Sequence, residues 1–455
     1  MKIELKTSIE QLKLQPAQVL VLGFAILIML GATLLNLPIA SLNGKSIGFI
    51  DALFTSASAV CVTGLSVVNT AAHWTLFGKI VILVLIQIGG LGFMTMATLV
   101  ALLLGKKITL KERLIMQEEL NQFTMQGLVK LTKYVLLSTF LIEFIGAIFL
   151  SFTFVPYYGD TVKGIWFSVF HSISAFCNAG FDLTGNSMME FVGDPIVNIV
   201  MGVLVIIGGL GYSVYINITN RVLHKRDRKK FSLHAKMVLV ITGALLLLGF
   251  VTIFIFEYNN PNTLGNLSFV DKVFAASFQS MAPRTAGFNS VDMASITNAS
   301  TFIIIVLMFI GGSPGSTAGG IKTTTVGALI YAMISVIQGK TDVEAFKKRL
   351  PNVIVYRSLT VVGIAMGIVS IVTIVLSITE NASFIDIFFE SVSAFATVGL
   401  TRGITPNLTI VGRLIITLTM FIGRLGPLTM AFAFAQRQKE NKGQFRYPEE
   451  RIIVG

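Results

Sequence analysis

Apolar runs near 17–37, 79–104, 134–155, 196–220, 238–256, 301–338, 358–378 and 409–435 dominate the chain. Each has roughly the 20 residues a helix needs to cross a hydrocarbon layer of about 30 Å, so the pattern predicts eight transmembrane helices. Within each successive pair of runs lies a further apolar piece of 10 to 13 residues: "DALFTSASAV", "GIWFSVFHSISAF", "VDKVFAASFQSMA" and "FIDIFFESVSAF". These are too short to cross and suit re-entrant helices. Each runs into a small polar stretch with one glycine, Gly64, Gly180, Gly287 or Gly399, spaced by 116, 107 and 112 residues. Each following run carries a glycine cluster: "IGGLG" at 88–92, "IGGLG" at 207–211, "IGGSPG" at 310–315 and "IGRLG" at 422–426. Self-similarity at a fixed period is the mark of a repeat architecture. The expected fold is an all-α integral membrane protein of four helix–pore-loop–helix units. Their expected bounds are 1–133, 134–236, 237–357 and 358–455, the last including a cytoplasmic tail.

Composition agrees. The chain is 54% hydrophobic and 13% charged, where a soluble domain carries about 25% charged residues. The first 15 residues are mixed and charged, and no cleavable leader is expected. The net charge of +12 invites a nucleic-acid reading, but its placement answers otherwise. Five segments hold 26 of the 35 Lys and Arg: Lys2, Lys6 and Lys13, then 106–133, 221–236, 340–357 and the tail from 437. The alternate connections are poor in Lys and Arg and carry Asp51, Asp160, Glu257, Asp271, Glu380 and Asp386. This asymmetry puts the basic loops and both termini in the cytoplasm, with no nucleic-acid partner. Cys61 and Cys177 read as small buried residues, and His73, His171, His224 and His234 have no metal-ligand spacing.

Irregular backbone at membrane depth survives only where protein buries it or where it lines a water-filled path. One such loop could serve close helix packing; four at equivalent places imply a ring about an axis. A ring of inward carbonyls is a cation-selectivity filter. The loops read "CVTGL", "CNAGF", "RTAGF" and "ATVGL", the last close to the "TVGYG" of potassium channels. The candidate ion-binding carbonyls are those of Val62, Thr63, Gly64 and Leu65; Asn178, Ala179, Gly180 and Phe181; Thr285, Ala286, Gly287 and Phe288; and Thr397, Val398, Gly399 and Leu400. Glycine supplies the positive φ that turns consecutive carbonyls inward. One glycine per loop, against two in the potassium-channel signature, predicts a shorter filter with fewer tight sites. The re-entrant helices should aim their C-terminal ends at the pore, each favouring a cation by about 0.3–1 kcal/mol. Arg284 beside such a path would repel cations, so it is expected behind the filter wall, held by a carboxylate or carbonyls.

The sixth run is broken by "FIGGSPGSTAGGIKTTTVGALI" at 309–330, which no continuous helix can accommodate. "GSTAGGIKT" is not a phosphate-binding loop, because Ile321 separates Gly320 from Lys322 and no strand precedes it. The better reading is a gate across the ion path, with Gly311, Gly312, Gly315, Gly319, Gly320, Lys322 and Arg424 as its residues. Lys322 either belongs to the gate or snorkels to the cytoplasmic edge. Arg424 stands in the matching cluster of the fourth unit, where its five donors can bond loop carbonyls across the cavity. Glu143 is a lone intramembrane carboxylate; a proton relay is conceivable, but a helix–helix hydrogen bond is expected.

With these residues in view, the whole chain resembles the Ktr/Trk/HKT superfamily of potassium transporters, in particular its bacterial Ktr membrane subunits. The resemblance rests on the four loop glycines, on "PRTAGFNS" (283–290), "GSTAGGIKTTT" (315–325), "MFIGRLGPLT" (420–429) and "RYPEERIIVG" (446–455). It implies a homodimer in the bacterial cytoplasmic membrane with one pore per protomer. It further implies a cytosolic ring of nucleotide-binding, RCK-type regulatory subunits, and potassium uptake with sodium as activator. The loop matching 311–325 is the family's intramembrane gate, and the arginine matching Arg424 lies against it. In plant relatives serine at the position of Gly64 accompanies sodium transport, so glycine here favours potassium. Cys61 and Pro314 depart from expectation and bear on filter shape and loop flexibility.

Two rival classes remain. A cation-coupled secondary carrier, or a sodium-permeable homologue, would use the same membrane setting, but carriers use paired and often inverted repeats. An enzyme would need a convergent set of catalytic groups, and the spans offer only Glu143 and scattered histidines. The chain is not expected to be an enzyme.

Overall fold

A computed structural model describes residues 15–104, 108–119, 127–223 and 231–434, with positions 448 and 450. The N-terminal lysines, the basic tail from 437, most of the motif at 446–455 and the stretch 224–230 lie outside the described residues.

Four units follow one another. Each begins with a long outer helix: α1 (Pro16–Leu35), α6 (Leu128–Tyr158), α10 (Leu233–Glu257) and α14 (Asn352–Thr379). These are long and apolar enough to cross a membrane, and large side chains such as Phe140, Phe144, Phe149 and Phe152 of α6 are exposed. Apolar side chains in that number on the outside of a helix require a lipid solvent. A short helix follows in each unit: α2 (Phe49–Val60), α7 (Thr161–Phe176), α11 (Phe269–Met281) and α15 (Phe384–Ala396). Then come the glycine-bearing loop and an inner helix.

The inner helices depart from expectation. Continuous spans at 79–104, 196–220 and 409–435 are each two helices: α3 (Leu76–Leu91) with α4 (Phe93–Leu103), α8 (Pro195–Leu210) with α9 (Tyr212–Leu223), and α16 (Ile410–Leu425) with α17 (Pro427–Phe434). The first two pairs bend by 101° and 99°. The reason is the last glycine of each cluster: Gly92, Gly211 and Gly426 have φ of +91°, +87° and +85°, a region closed to most side chains. In the third unit α12 (Asn298–Phe309) and α13 (Thr323–Ile337) are separated by irregular backbone. α5 (Leu110–Glu119) follows α4, and the all-α reading is qualified by a small hairpin, β1 (Val343–Ala345) paired antiparallel with β2 (Lys348–Leu350).

The first glycine of each cluster has a different reason. A methyl on Gly89 would overlap Val60 O, one on Gly208 would overlap Phe176 O, and one on Gly423 would overlap Phe395 O. The inner helix therefore rests directly on the C-terminal carbonyls of its own unit's short helix. Side chains also lock the helix starts. Threonine caps α3, α12 and α16 through Thr75, Thr297 and Thr409, while Asp194 caps α8. The outer helices reinforce those caps: Glu257 accepts from Thr297 N at 2.9 Å, and Glu380 accepts from Thr409 N at 2.8 Å. Glu143 on α6 is buried and accepts from Gln87 Nε2 on α3 at 3.2 Å through both oxygens. It joins two helices.

Because contact and conformation make separate demands on glycine, the same substitution should change sign with position. Gly208→Ala and Gly423→Ala force two backbones apart and should each cost about 1–3 kcal/mol. Gly363→Ala on α14 meets nothing within 4 Å and should gain up to about 1 kcal/mol from helix propensity. Thermal unfolding in detergent, followed by intrinsic fluorescence, checks both signs.

Candidate functional site

The four short helices converge, and the loops at their ends meet around one axis. A methyl on Gly64 would lie 2.6 Å from Ala179 O, one on Gly180 would lie 2.8 Å from Gly287 Cα, and one on Gly287 would lie 2.6 Å from Val398 O. One on Gly399 would overlap Thr63 O, which closes the circle. The four loop glycines and the residues before them thus pack backbone against backbone in one ring, too closely at the glycines for a side chain.

Each loop contains two left-handed residues, where the glycine pattern revealed one. The glycines have φ of +95°, +68°, +74° and +92°, and two residues before them Val62, Asn178, Thr285 and Thr397 have φ of +51°, +58°, +68° and +51°. Left-handed residues alternating with ordinary ones turn successive carbonyls toward the same side. The conformation costs about 1 kcal/mol or more at a non-glycine residue, so surrounding bonds must hold it. Thr63 N donates to Ser58 O, Ala179 N to Ser174 O and Val398 N to Ser393 O, each at 2.8 Å. Gly64 N donates to Ser58 Oγ at 3.0 Å and Gly399 N to Ser393 Oγ at 3.2 Å, while Ser174 Oγ donates to Phe181 O at 2.8 Å. A serine six residues before the glycine is the legible signal that sequence reasoning missed. The third unit has Met281 there.

Neighbouring units are also tied beyond the ring. Asn69 Nδ2 donates to Gly185 O at 2.9 Å, and Met188 N donates to Asn289 O at 3.0 Å. Arg402 Nε pairs with Asp386 at 2.6 Å while its Nη1 donates to Met293 O at 3.1 Å. Arg413 pairs with Asp51 at 2.5 Å, joining the fourth unit to the first. Neither arginine stood out in the sequence. Their neighbours in the chain say nothing of a partner in the next unit. On this same side a cavity of about 250 Å³ is lined by Gly64, Ser66, Asn69, Gly180 and Asp182.

On the opposite side lies the irregular segment 310–322. It is held against the second unit: Ser313 N donates to Gly209 O at 2.9 Å, Thr317 Oγ1 to Phe176 O at 3.1 Å, and Tyr212 N to Gly315 O at 2.9 Å. A methyl on Gly319 would overlap Thr397 Oγ1, so the segment lies directly beneath the ring. Arg424 donates to Thr317 O in the segment, and to Gly89 O and Gly90 O at the end of α3, the last at 3.2 Å. One guanidinium thus bonds elements of three units. Gly311 and Gly312 open the segment, with Gly312 O accepting from Thr323 N at 3.0 Å; Gly315 and Gly320 are left-handed at φ of +66° and +64°.

One placement decides between the two readings left open for Lys322, and one corrects the reading of Arg284. Lys322 does not snorkel outward: it precedes α13, and its Nζ turns back to donate to Ala318 O at 2.6 Å. Arg284 is buried against α8, α10 and Gly312, yet its Nε and Nη1 have no hydrogen-bond partner among the described residues. The carboxylate or carbonyl expected for those two nitrogens is not there, because apolar Val205, Ile206, Leu246 and Met281 line that pocket. Among the described residues no group of three His, Cys, Asp or Glu could hold a metal ion.

Comparison with known proteins agrees with this architecture. The chain is 46% identical to the Ktr system potassium uptake protein B of Bacillus subtilis, covering 98% of each chain. It is 43% identical to the potassium/sodium uptake protein NtpJ of Enterococcus hirae, over 97% of this chain and 98% of that one. The crystal structure of the potassium transporter TrkH from Vibrio parahaemolyticus shares the fold, with a TM-score of 0.72 at 18% identity over 93% of this chain and 86% of that chain. The model of the TrkH family, described as cation transport protein, matches residues 10–443. This chain belongs to the TrkH family of cation transport proteins.

Proposed function

We propose that this chain is the membrane subunit of a potassium uptake system, passing the ion through the four-loop ring and closing the path with segment 311–325. The observation that carries the reading is the repeated pair of left-handed residues, Val62 and Gly64, Asn178 and Gly180, Thr285 and Gly287, Thr397 and Gly399. That backbone turns successive carbonyls to one side in every loop, the arrangement by which a cation exchanges its hydration shell for protein oxygens. The short helices add their negative ends, and Asp182 in the adjoining cavity adds a carboxylate at the approach. Substrate identity draws on the relatives from Bacillus subtilis and Enterococcus hirae, whose names record potassium and potassium/sodium uptake.

Segment 311–325 acts as the gate and Arg424 as its clasp. A guanidinium bonded to Thr317 O across the axis holds the segment closed and also repels cations. The rest of the assignment follows the same reading. The four units have bounds 1–133, 134–236, 237–357 and 358–455. The protein is a homodimer in the bacterial cytoplasmic membrane with both termini cytoplasmic, regulated by a cytosolic ring of nucleotide-binding subunits, with sodium as activator. It transports and does no bond chemistry.

Rubidium uptake into liposomes holding this protein alone, driven by a membrane voltage imposed without a potassium gradient, tests the substrate. Flux should be competed by external potassium and supported by sodium at least tenfold less. Equal sodium support would overturn the assignment. Arg424→Ala should raise the flux about tenfold by removing the clasp; unchanged flux would remove Arg424 from the gate.

A further inference from the structure

The bend between α3 and α4 is held from two sides, and only one of them belongs to the gate. On the α3 side, the terminal carbonyls of Gly89 and Gly90 accept from Arg424. On the α4 side, the first amides of that helix have no side-chain cap of their own, since Gly92 occupies the bend. Their acceptor comes from α5. Glu119 Oε1 accepts from Met94 N at 2.9 Å and Glu119 Oε2 accepts from Thr95 N at 3.1 Å. A carboxylate at that position satisfies two orphan donors and the positive end of the helix dipole at once. The same carboxylate occupies the space beside the bend: a methyl on Gly92 would lie 2.7 Å from Glu119 Cδ. Below it, Ile115 and Met116 of α5 pack with Leu20, Met94 and Leu128, so α5 is anchored to α1, α4 and α6.

We propose that Glu119 is a positioning residue of the gate: it fixes the α3–α4 bend, and through the bend it presents the Gly89 and Gly90 carbonyls to Arg424. Releasing Glu119 frees the first turn of α4, lets the bend relax and takes away two of the clasp's three acceptors. The surface helix α5, outside the membrane-spanning segments, is thereby coupled to segment 311–325. The inference rests on the gate assignment made above.

The latch is also sensitive to protons. Burial pushes the Glu119 carboxyl from an ordinary 4.5 up to about 7, against the opposing pull of the two amides and the Arg424 charge. The latched carboxyl thus holds its proton more tightly than a released, solvated one. Latching is most favourable below pH 4.5 and weakens as pH rises through about 7. Arg424 on α16 is the charged group whose field reaches it. α1 and α4 carry no charged residue, and α6 brings Lys130 and Lys133 in its first turns, both exposed. Raising the pH should therefore open the pore.

Rubidium flux through the purified protein in liposomes, with equal pH on both sides, should rise about fivefold or more from pH 6 to pH 8. Glu119→Gln, which keeps the shape and removes the titration, should flatten that rise. Gly92→Ala, a separate perturbation of the same contact, should raise flux at pH 6. Hydrogen exchange of the amides at 94 and 95, corrected for intrinsic rates, should quicken in Glu119→Ala protein that elutes as a single species. A Glu119→Gln profile that keeps the wild-type rise, or a flat wild-type profile, would overturn the proposal. If Arg424→Ala opens the pore while both Glu119 outcomes fail, the latch is wrong and the gate stands; if Arg424→Ala fails too, the gate reading itself is lost.

Discussion

Everything in this structure depends on what happens to backbone N–H and C=O groups that leave regular helix inside a hydrocarbon layer. Water cannot satisfy them there, so each must find a partner in the protein or face a wet path. Four loops and one irregular segment break the helical pattern, and the surrounding bonds divide them accordingly. The amides of the loops are consumed by their own short helices, as Thr63 N, Ala179 N and Val398 N show. The carbonyls on the other side of the same peptide planes are left for the axis. That division places the amide donors of three loops against the wall, while one loop carbonyl, Phe181 O, is itself taken by Ser174 Oγ.

The same accounting separates the four units. Units one, two and four keep a glycine pressed on the end of the short helix, with the inner helix bending just beyond. In the third the inner helix is interrupted outright, and its freed backbone is satisfied by neighbours: Gly208 O and Gly209 O accept from the segment, and Gly315 O accepts from Tyr212 N. The equivalent position in the clusters is Gly90, Gly209, Gly312 and Arg424. Three units thus have no side chain at that point, and the fourth has an arginine that reaches Thr317 O and the end of α3. Symmetry supplies the ring, and its breach supplies the irregular segment and the arginine beneath it.

How much of this was legible follows from range. The outer helices and short helices appear in the sequence because apolar run length reports them directly. The ring appears because a glycine recurs in four copies, which turns a weak local signal into a strong one. The second left-handed residue was not legible, since Val62, Asn178, Thr285 and Thr397 have nothing in common as residue types; serine hydroxyls and close-packed backbones impose that conformation from outside. The breaks in three inner helices were missed because Gly92, Gly211 and Gly426 sit inside otherwise apolar runs, where glycine also serves close packing. Arg402, Arg413 and Glu119 act on partners in other units or across a bend, and local pattern carries no trace of such pairs. Arg284 marks the opposite limit: its place behind the loops was anticipated, but its Nε and Nη1 have no partner among the described residues.

The bends repay a closer look, because a helix that turns by about a right angle leaves both of its new ends unsatisfied. In the second unit the segment 310–322 meets part of that need. Gly315 O accepts from the first amide of α9, and Ser313 N donates to Gly209 O. In the first unit the task is split between Arg424 for the carbonyls and Glu119 for the amides. The first two bends therefore draw their partners from elsewhere in the protein, from the segment under the ring in one case and from Arg424 and Glu119 in the other. A segment bonded this way cannot move alone. Any displacement of the segment must re-satisfy the ends of α8, α9 and α3, so its position is set by backbone hydrogen bonding across units more than by the bulk of any side chain.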